Sequence, residues 1–554
     1  MFLRHSGILT ALARPEGVPA PQVTGATKDW AQAGAHLAMS RDLPGMALSQ
    51  RLSDPAAYRR LQQGRRQALE ALLLVPLDGP GLSRAVDLIC MIVEESSWSE
   101  NPHGAPFDDD QHPVIDFQCA ETLMLLAWAV RVLGERLGSR VTAKIVHEAR
   151  RRVFVPVLAH GDYPFMRTIG ARSALAVRPL CILSDLLLSA ILLEADAARR
   201  GALIKLCLRL LDQAVAARER RVSPLADELA ETAAITDLCL LLRKLTRSEM
   251  DLTPEYPTPD WLDALLYPWL EDDFFADPAT GDLRPALSGQ ELFRVGLAVG
   301  DEALAALGAQ LHRERRLPSA TVTGRLMDLS CAGMLAAQTG KPPRVKHAAT
   351  ARNRLMLARF SGMTCALHTG GDRGNAGSLL LFADGRPILV EVPGCAGVAL
   401  VNGRAQLAAP GDLVPEAAFG SDACPADFSI QPDRELMSVD LTHAWPVEAG
   451  VLACQRTAMA LRREESLRLV DAFDLARPAE LVFQFFTPET PQRLLSGLRL
   501  GPIDLTWEGD LSADIEPAGK RFPSDDPSGR PLNRIALKGS APAGRAFYTF
   551  TFTR

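Results

Sequence analysis

The chain has 554 residues, 47% of them hydrophobic and 23% charged, which is the composition of a folded globular protein with more than one core. The 60 basic and 66 acidic residues give a formal net charge of −6, which excludes a general electrostatic attraction to nucleic acid or to a membrane surface. Any anionic ligand must therefore be held by a local group of basic side chains.

The 10 cysteines are scattered without a C-x-x-C pair, and several lie in apolar helical runs. This pattern indicates buried thiols in a reducing compartment and not a disulfide framework or a zinc site. The N-terminal region has only a short apolar stretch before Arg14, which is a poor secretory signal, so the sequence favours the cytoplasm. The most apolar stretch, 180–193, is interrupted by polar residues, and we expect no membrane-spanning helix.

The spacing of apolar residues changes near residue 345. Upstream they recur at helical spacing, and downstream they alternate in short runs broken by Gly, Asp and Asn. The pattern predicts an irregular N-terminal segment (1–50), a helical domain (51–343) and an antiparallel β-sandwich domain (344–554). The TGKPP sequence at 339–343 has the composition of a domain boundary.

Helices are predicted first, in chain order. The clearest runs from Asp116, which can cap it, to Leu137 before Gly138, and its successor begins after Ser139 and stops before Pro156. Short connections favour antiparallel helical hairpins, which could close into a ring or form a bundle. Further helices are predicted near 56–75, 81–94, 172–198, 201–219, 225–246, 300–312 and 322–338.

Strand-length segments follow from residue 355 onward. Asp384-Gly385 and Asn402-Gly403 supply the positive backbone angles that a two-residue hairpin turn needs. Strands of a sandwich are predicted at 355–360, 364–368, 378–382, 387–392, 435–441, 451–461, 467–474, 480–486, 534–539 and 545–553.

Several residue strings occur in the order found in one known family. They are Ser97-Trp98 with Pro102-His103, Pro113 to Thr122, Arg152 to Pro156, Leu380 to Pro387, Val401 to Gly403 with Gln406, and Asp440 to Pro446 with Arg456. Together they resemble the heparinase II/III-like proteins over roughly residues 85–510. The resemblance implies an incomplete α/α toroid, an antiparallel β-sandwich and cleavage of uronate-containing polysaccharides by β-elimination.

Beta-elimination needs a group that neutralises the uronate carboxylate, a base near the acidic carbon, and an acid for the leaving oxygen. Three strings that supply these groups in relatives are altered here. No Asn-Trp pair follows Pro156, no tyrosine lies in 223–233, and the histidine-rich motif of the β half is replaced by Gly-Gly-Asp-Arg-Gly-Asn-Ala-Gly at 370–377. A degenerate lyase of this fold, acting as a glycan-binding or scaffolding protein, is therefore the alternative function.

The resemblance and the local chemistry nominate candidate catalytic residues where the neutralising pair is missing. An arginine could bind a uronate carboxylate bidentately, and a tyrosine could act as base or acid. Arginines at helix boundaries are also often solvated, and a tyrosine before a proline can simply pack. The candidate catalytic residues are Tyr163, Arg167, Arg172 and His103.

Candidate substrate-binding residues come from both halves. Trp98 could stack on a sugar, although most aromatic residues are core residues. His368 and Arg373 form the remaining polar cluster of the β half, while His368 could equally face solvent. The full set is Trp98, Arg178, Glu231, His368 and Arg373.

A hydrolase on the same toroid would need a carboxylate pair, for which Asp227 with Glu231 is the local candidate. No metal-ligand spacing emerges, so we expect neither a metal nor another cofactor. The resemblance to heparinase II/III-like proteins implies an acidic polysaccharide or oligosaccharide as the partner.

Overall fold

The computed structural model describes residues 54–100, 113–167, 178–218, 223–248, 251–253, 255–277, 279, 281–350, 354–370, 376–392, 398–406, 426–522 and 529–554, together with Met39. The chain forms two compact units. The helical unit comprises Met1–Arg221, Ala226–Trp261 and Leu287–Pro342, and the β unit comprises Val222–Leu225, Leu262–Ala286 and Pro343–Arg554. The domain ranges proposed from the sequence stay a prediction.

Most predicted helices are confirmed to within a few residues. The described helices are α1 Pro55–Leu73, α2 Gly79–Val93, α3 Phe117–Leu133, α4 Ser139–Ala149, α5 Val155–Ala159, α6 Pro164–Arg167, α7 Pro179–Leu193, α8 Ala197–Arg218, α9 Leu225–Leu245, α10 Pro259–Leu266, α11 Gly289–Val299, α12 Glu302–Glu314 and α13 Val322–Ala337. A 3-10 turn, Gly134–Leu137, follows α3, and a π turn, Arg150–Phe154, joins α4 to α5. Helices α5, α6, α10 and α11 were not predicted. The predicted stop before Pro156 is wrong, because this proline stands in the first turn of α5, where its missing N–H is tolerated, and the helix continues to Ala159.

Side-chain caps explain where several helices begin. Asp116 accepts the backbone N–H of Cys119 at 2.8 Å, which confirms the predicted cap of α3. Helix α7 is shorter than the predicted 172–198, because Pro179 stands in its first turn and the backbone is extended at Glu194.

The helical unit is the incomplete α/α toroid of helical hairpins predicted from the sequence. Its core includes α3 and α7, and α7 exposes almost none of its side chains. In the α11–α12 hairpin, a Cβ atom on Gly289 would lie 2.3 Å from the backbone nitrogen of His312. Glycine at this position therefore allows the two helices to pack closely. Because glycine has a low helix propensity, it also weakens the sequence signal by which α11 could have been predicted.

The expectation that no segment resembles a spanning helix is wrong for Phe117–Leu137. This segment is long and apolar enough to cross a membrane, but 67% of its most apolar window is buried inside the protein. A core helix of a globular protein meets the same criteria of length and composition.

The β unit is an antiparallel sandwich, as predicted. The described strands are β1 Trp269–Glu271, β2 Phe274–Phe275, β3 His347–Thr350, β4 Leu355–Phe360, β5 Met363–His368, β6 Leu379–Ala383, β7 Arg386–Leu389, β8 Leu400–Val401, β9 Ala426–Ile430, β10 Arg434–Asp440, β11 Val451–Leu461, β12 Ser466–Leu475, β13 Ala479–Thr487, β14 Gln492–Leu494, β15 Gly497–Leu500, β16 Ile503–Glu508, β17 Ser512–Phe522, β18 Arg530–Ala541 and β19 Gly544–Thr553. The sheets have the strand orders β14-β15-β16-β19-β12-β11-β10-β9, β17-β18-β13-β8 and β3-β4-β5-β6-β7, beside the short pair β1-β2.

Both predicted hairpin turns adopt positive φ angles. Asp384 and Gly385 have φ values of 50° and 76°, and Asn402 and Gly403 have φ values of 51° and 72°. Strand β12 alternates buried and half-buried residues, as expected of a strand with one face on the core. Strand β5 is buried throughout, because residues of the 262–286 segment cover the second face of its sheet.

Candidate functional site in the helical unit

Several helices of the helical unit begin next to one another. Glu231 of α9 accepts the backbone N–H of Leu180, in the first turn of α7, at 3.4 Å. Glu291, in the first turn of α11, accepts the N–H of Ala320, just before α13, at 2.6 Å. The positive ends of helix dipoles favour negative groups, so carboxylates and anionic ligands are suited to this location. We call the following residues the helix-start cluster: Phe117, Arg178, Asp227, Glu231, Glu291 and Ala320.

Arg178 is the only arginine of this cluster. Its Nε donates to Oδ1 of Asp227 at 2.7 Å, and its guanidinium carbon lies 5.2 Å from the centre of the Phe117 ring. The Arg178 side chain is 25% exposed and that of Asp227 is 10% exposed. Burial opposes the charge of Arg178, but the attraction of Asp227 raises the pKa of Arg178 above its ordinary value. The arginine is therefore charged and oriented, and it is still partly open to solvent.

Glu291 is a buried carboxyl group in the same cluster. Ser288 caps α11 by accepting the N–H of Glu291, while the Glu291 side chain reaches Ala320. Burial raises the pKa of Glu291 to about 7, against the lowering effects of Arg294 and of the Ala320 N–H. This carboxyl group therefore changes charge near neutral pH.

A small apolar cluster lies between Arg178 and Glu291. The buried side chains of Cys181, Ala230 and Ala234 form it, and Phe117 and Ala320 pack against it. Arg178 stacks on Phe117, and Glu291 is bonded to Ala320. The charge of Glu291 accordingly acts on Arg178, whose pKa it helps to raise.

Two further buried carboxyl groups, Glu121 of α3 and Asp185 of α7, interact in the helical unit. Glu121 accepts the N–H of Val322 at 2.8 Å and also binds Arg325, which in turn donates to Glu70. Glu121 is 7% exposed and Asp185 is 2% exposed. Burial and the neighbouring Glu121 raise the pKa of Asp185 well above its usual range. Two buried carboxyl groups that interact cannot both be ionised at low cost, so the folded state favours keeping one proton on the pair.

A separate groove of about 790 Å³ lies at the opposite end of α3, where Gly134 and Gly138 line it together with Arg150. Arg150 is paired with Glu194 through two hydrogen bonds of 3.0 and 2.6 Å. The groove therefore presents an arginine whose charge is already compensated. Among the described residues, no group of three or more His, Cys, Asp or Glu side chains could hold a metal ion.

Comparisons with solved structures identify the fold. The chain is similar to the Streptomyces coelicolor A3 chondroitin AC lyase in complex with chondroitin sulphate, with a TM-score of 0.52 and 13% identity over 99% of this chain and 82% of that one. It is similar to heparinase III, with a TM-score of 0.56 and 10% identity over 100% and 89% of the two chains. A Paenibacillus xanthan lyase matches with a TM-score of 0.52 and 10% identity over 99% and 60%. This protein has a polysaccharide lyase-like fold.

No protein-family model and no curated protein matches the sequence. The similarity to the three lyases therefore concerns the fold, which is the level at which the resemblance to heparinase II/III-like proteins is confirmed. Which residues of the lyase-like fold act in this chain has to be argued from its own side chains.

Two of the predicted site residues are core residues. Trp98 is 1% exposed, its Nε1 donates to the carbonyl of Ile92 at 2.9 Å, and the guanidinium of Arg152 lies 5.0 Å from its ring. Tyr163 is also 1% exposed and stacks on Phe165 with ring centres 5.9 Å apart. Burial raises the pKa of Tyr163 to about 12. Both positions favour packing roles.

Arg178 and Glu231 meet in the helix-start cluster, although 53 positions of numbering separate them. His368 belongs to the β unit, where it is 1% exposed and its Nε2 lies 3.3 Å from Oε2 of Glu391. His368 is therefore buried. The alternative interpretation of its strand, in which this histidine faces solvent, is wrong. His103, Arg172, Arg373 and the side chain of Arg167 lie outside the described residues.

Sequence reasoning missed Glu291 and the pairing of Asp227 with Arg178. A signal for Glu291 was present, because Ser288-x-x-Glu291 matches a capping box. In a capping box the glutamate returns to the backbone of the cap residue, whereas here it bonds to Ala320. The sequence suggests only a carboxylate pair of Asp227 with Glu231, whereas in the structure Asp227 is paired with Arg178.

Proposed function

We propose that this protein is a polysaccharide lyase that cleaves an acidic, uronate-containing polysaccharide by β-elimination. Its fold is that of lyases whose names and ligands include chondroitin sulphate, heparin and xanthan, which supports an acidic polysaccharide as the substrate class. The observation that carries the proposal is the Arg178 side chain of the helix-start cluster, which Asp227 holds through Nε and which is 25% exposed. This charged group stands where helix starts already favour an anion.

Arg178 would neutralise the uronate carboxylate. Its Nε is held by Asp227, and among the described residues its two terminal nitrogens have no hydrogen-bond partner. A guanidinium edge can bind a carboxylate through two parallel N–H···O bonds. Neutralisation makes the proton beside the carboxylate more acidic and stabilises the negative charge that develops when that proton leaves.

The proton transfers require other groups. Tyr163 lies in the hydrophobic core with a raised pKa, so we assign it a packing role in this mechanism. His103 stays the sequence-based candidate for base or acid. The Asp227 carboxylate is committed to Arg178 and orients it.

The test is incubation with chondroitin sulphate, heparan sulfate, xanthan and unsulfated uronate polymers, with detection of the ultraviolet absorbance of unsaturated uronate ends. We expect at least one polymer to yield that absorbance, and Arg178→Gln to reduce the rate roughly 100-fold or more. Arg140→Gln, at an exposed position of α4, is the matched control and should retain the rate.

Three outcomes would contradict the proposal. New reducing ends without absorbance would indicate a hydrolase, and binding without any cleavage would indicate a glycan-binding protein. Equal rates for the Arg178 and Arg140 variants would remove Arg178 from the mechanism.

A further inference from the structure

We propose that Glu291 acts as an electrostatic regulator of Arg178, so that the helix-start cluster binds anionic ligands more tightly when Glu291 is protonated. The inference rests on the proposed role of Arg178 in binding uronate, but it requires no contact between Glu291 and the ligand. It adds a pH-dependent control of affinity to the proposed site.

Glu291 and Arg178 border the same small apolar cluster, Glu291 through its bond to Ala320 and Arg178 through its stacking on Phe117. Glu291 is 2% exposed and bonded to the N–H of Ala320 at 2.6 Å. Ala320 and Phe117 pack against the same apolar cluster, and the Arg178 guanidinium stacks on Phe117. The low polarity of this wall weakens the screening between the two charges.

The sign of the effect follows from the charges. Burial raises the pKa of Glu291 to about 7, so the group is mostly neutral below that pH and mostly anionic above it. An anionic Glu291 stabilises the arginine and repels an incoming carboxylate or sulfate. Its protonation leaves Asp227 and Glu231 as the acidic members of the cluster, and the positive charge of Arg178 becomes more available to the ligand.

Other titratable groups near Glu291 do not account for this change. Arg294 of α11 donates to Asp237 of α9 and to Asp328 of α13, so each of these two carboxyl groups has a charged partner. On α12, burial and then Arg316 and Arg313 lower the pKa of His312. Burial raises the pKa of Asp328 to about 6, so a variant at Glu291 is needed to separate the two carboxyl groups.

The test uses calorimetric binding of inorganic sulfate and of a chondroitin hexasaccharide at about pH 6 and about pH 8, bracketing the Glu291 transition. Both probes keep their charge across this range. We expect wild-type affinity to fall roughly three- to tenfold as the pH rises, which is the effect of one partly screened charge at short range. Glu291→Gln should bind with the higher affinity at both pH values.

Glu291→Gln retains an amide oxygen that can accept the Ala320 N–H, and Glu302→Gln, exposed on α12, is the matched control. A wild-type affinity that is independent of pH, an unchanged slope in Glu291→Gln, or no binding of either probe would overturn the inference. If a polymer is cleaved but the binding affinity is independent of pH, the inference about Glu291 is wrong and the proposed lyase function stands. A pH-dependent affinity without unsaturated products would refute the lyase function alone.

Discussion

Asp227 accepts the Nε–H of Arg178 at 2.7 Å, and this contact joins the start of α7 to the first turn of α9. The contact uses Nε, and among the described residues the two terminal nitrogens of Arg178 have no hydrogen-bond partner. The arrangement resembles an oriented anion-binding group more than a closed structural ion pair, in which both ends of the fork are occupied.

We expect Asp227→Asn to raise KM more than it lowers kcat, because the variant loosens the orientation of Arg178 and keeps its charge. The predicted increase in KM is roughly three- to tenfold, and the rate of formation of unsaturated ends measures it. Asp260→Asn is the control, since Asp260 is an exposed residue of the same unit. An unchanged KM in the Asp227 variant would show that the ion pair has no role in binding.

Tyr163→Phe should leave turnover unchanged, because the Tyr163 ring is buried against Phe165. The free energy of unfolding should change by less than about 1 kcal/mol, whereas Tyr163→Ala should lose about 3 to 5 kcal/mol through the cavity. Steady-state kinetics and urea unfolding of both variants measure these quantities. A large loss of turnover in Tyr163→Phe with unchanged stability would restore the catalytic role predicted from the sequence.

The Glu121 and Asp185 pair should make the helical unit less stable as the pH rises. Both pKa values are raised in the folded state, mainly by burial, so the folded protein keeps a proton that the unfolded chain releases above about pH 4. The contribution of this pair to the free energy of unfolding is therefore complete below about pH 4. It is lost as the pH rises through the raised pKa values of the folded state.

Asp185→Asn removes this dependence and should stabilise the protein at neutral pH by about 1 to 2 kcal/mol. Urea unfolding at a series of pH values would show a shallower slope than in the wild type. Asp87→Asn, at an exposed position of α2, should keep the wild-type slope. Parallel slopes for the wild type and the Asp185 variant would contradict the shared proton.

In the β unit, Arg456→Met should destabilise the fold by about 3 to 5 kcal/mol. Arg456 donates to both carboxylate oxygens of Asp471 at 2.6 Å and to the carbonyl of Gly377 at 2.8 Å, and both charged side chains are 1% exposed. The variant leaves Asp471 buried without its counter-charge.

Arg499→Met provides the comparison for this ion pair. Its partner Asp504 makes a similar two-point contact, but the two side chains are 51% and 36% exposed. Solvent screening makes the contribution of such an exposed pair much smaller than that of the buried pair, so we expect little loss of stability in Arg499→Met. Similar losses for the two arginine variants, measured by denaturant unfolding, would show that burial does not control the contribution of these pairs.

The bounds of many elements could be predicted because their signals are local. Strand β11 has the predicted limits, and Asp384-Gly385 formed the predicted turn. Strand β17 was missed because Pro517 and a shift in register interrupt its alternation. The short strands β1 and β2 contain too few residues for a period to be seen.

The fold class and the choice of Arg178 and Glu231 as candidates follow from periodicity, turn residues and ordered motifs, which are properties of neighbouring residues. The pairing of Arg178 with Asp227, the place of Glu291 in the same cluster, and the burial of Trp98 and Tyr163 are seen in the folded chain alone. Burial and charge pairing depend on residues that are far apart in the chain, and spacing along the sequence does not specify which of them meet.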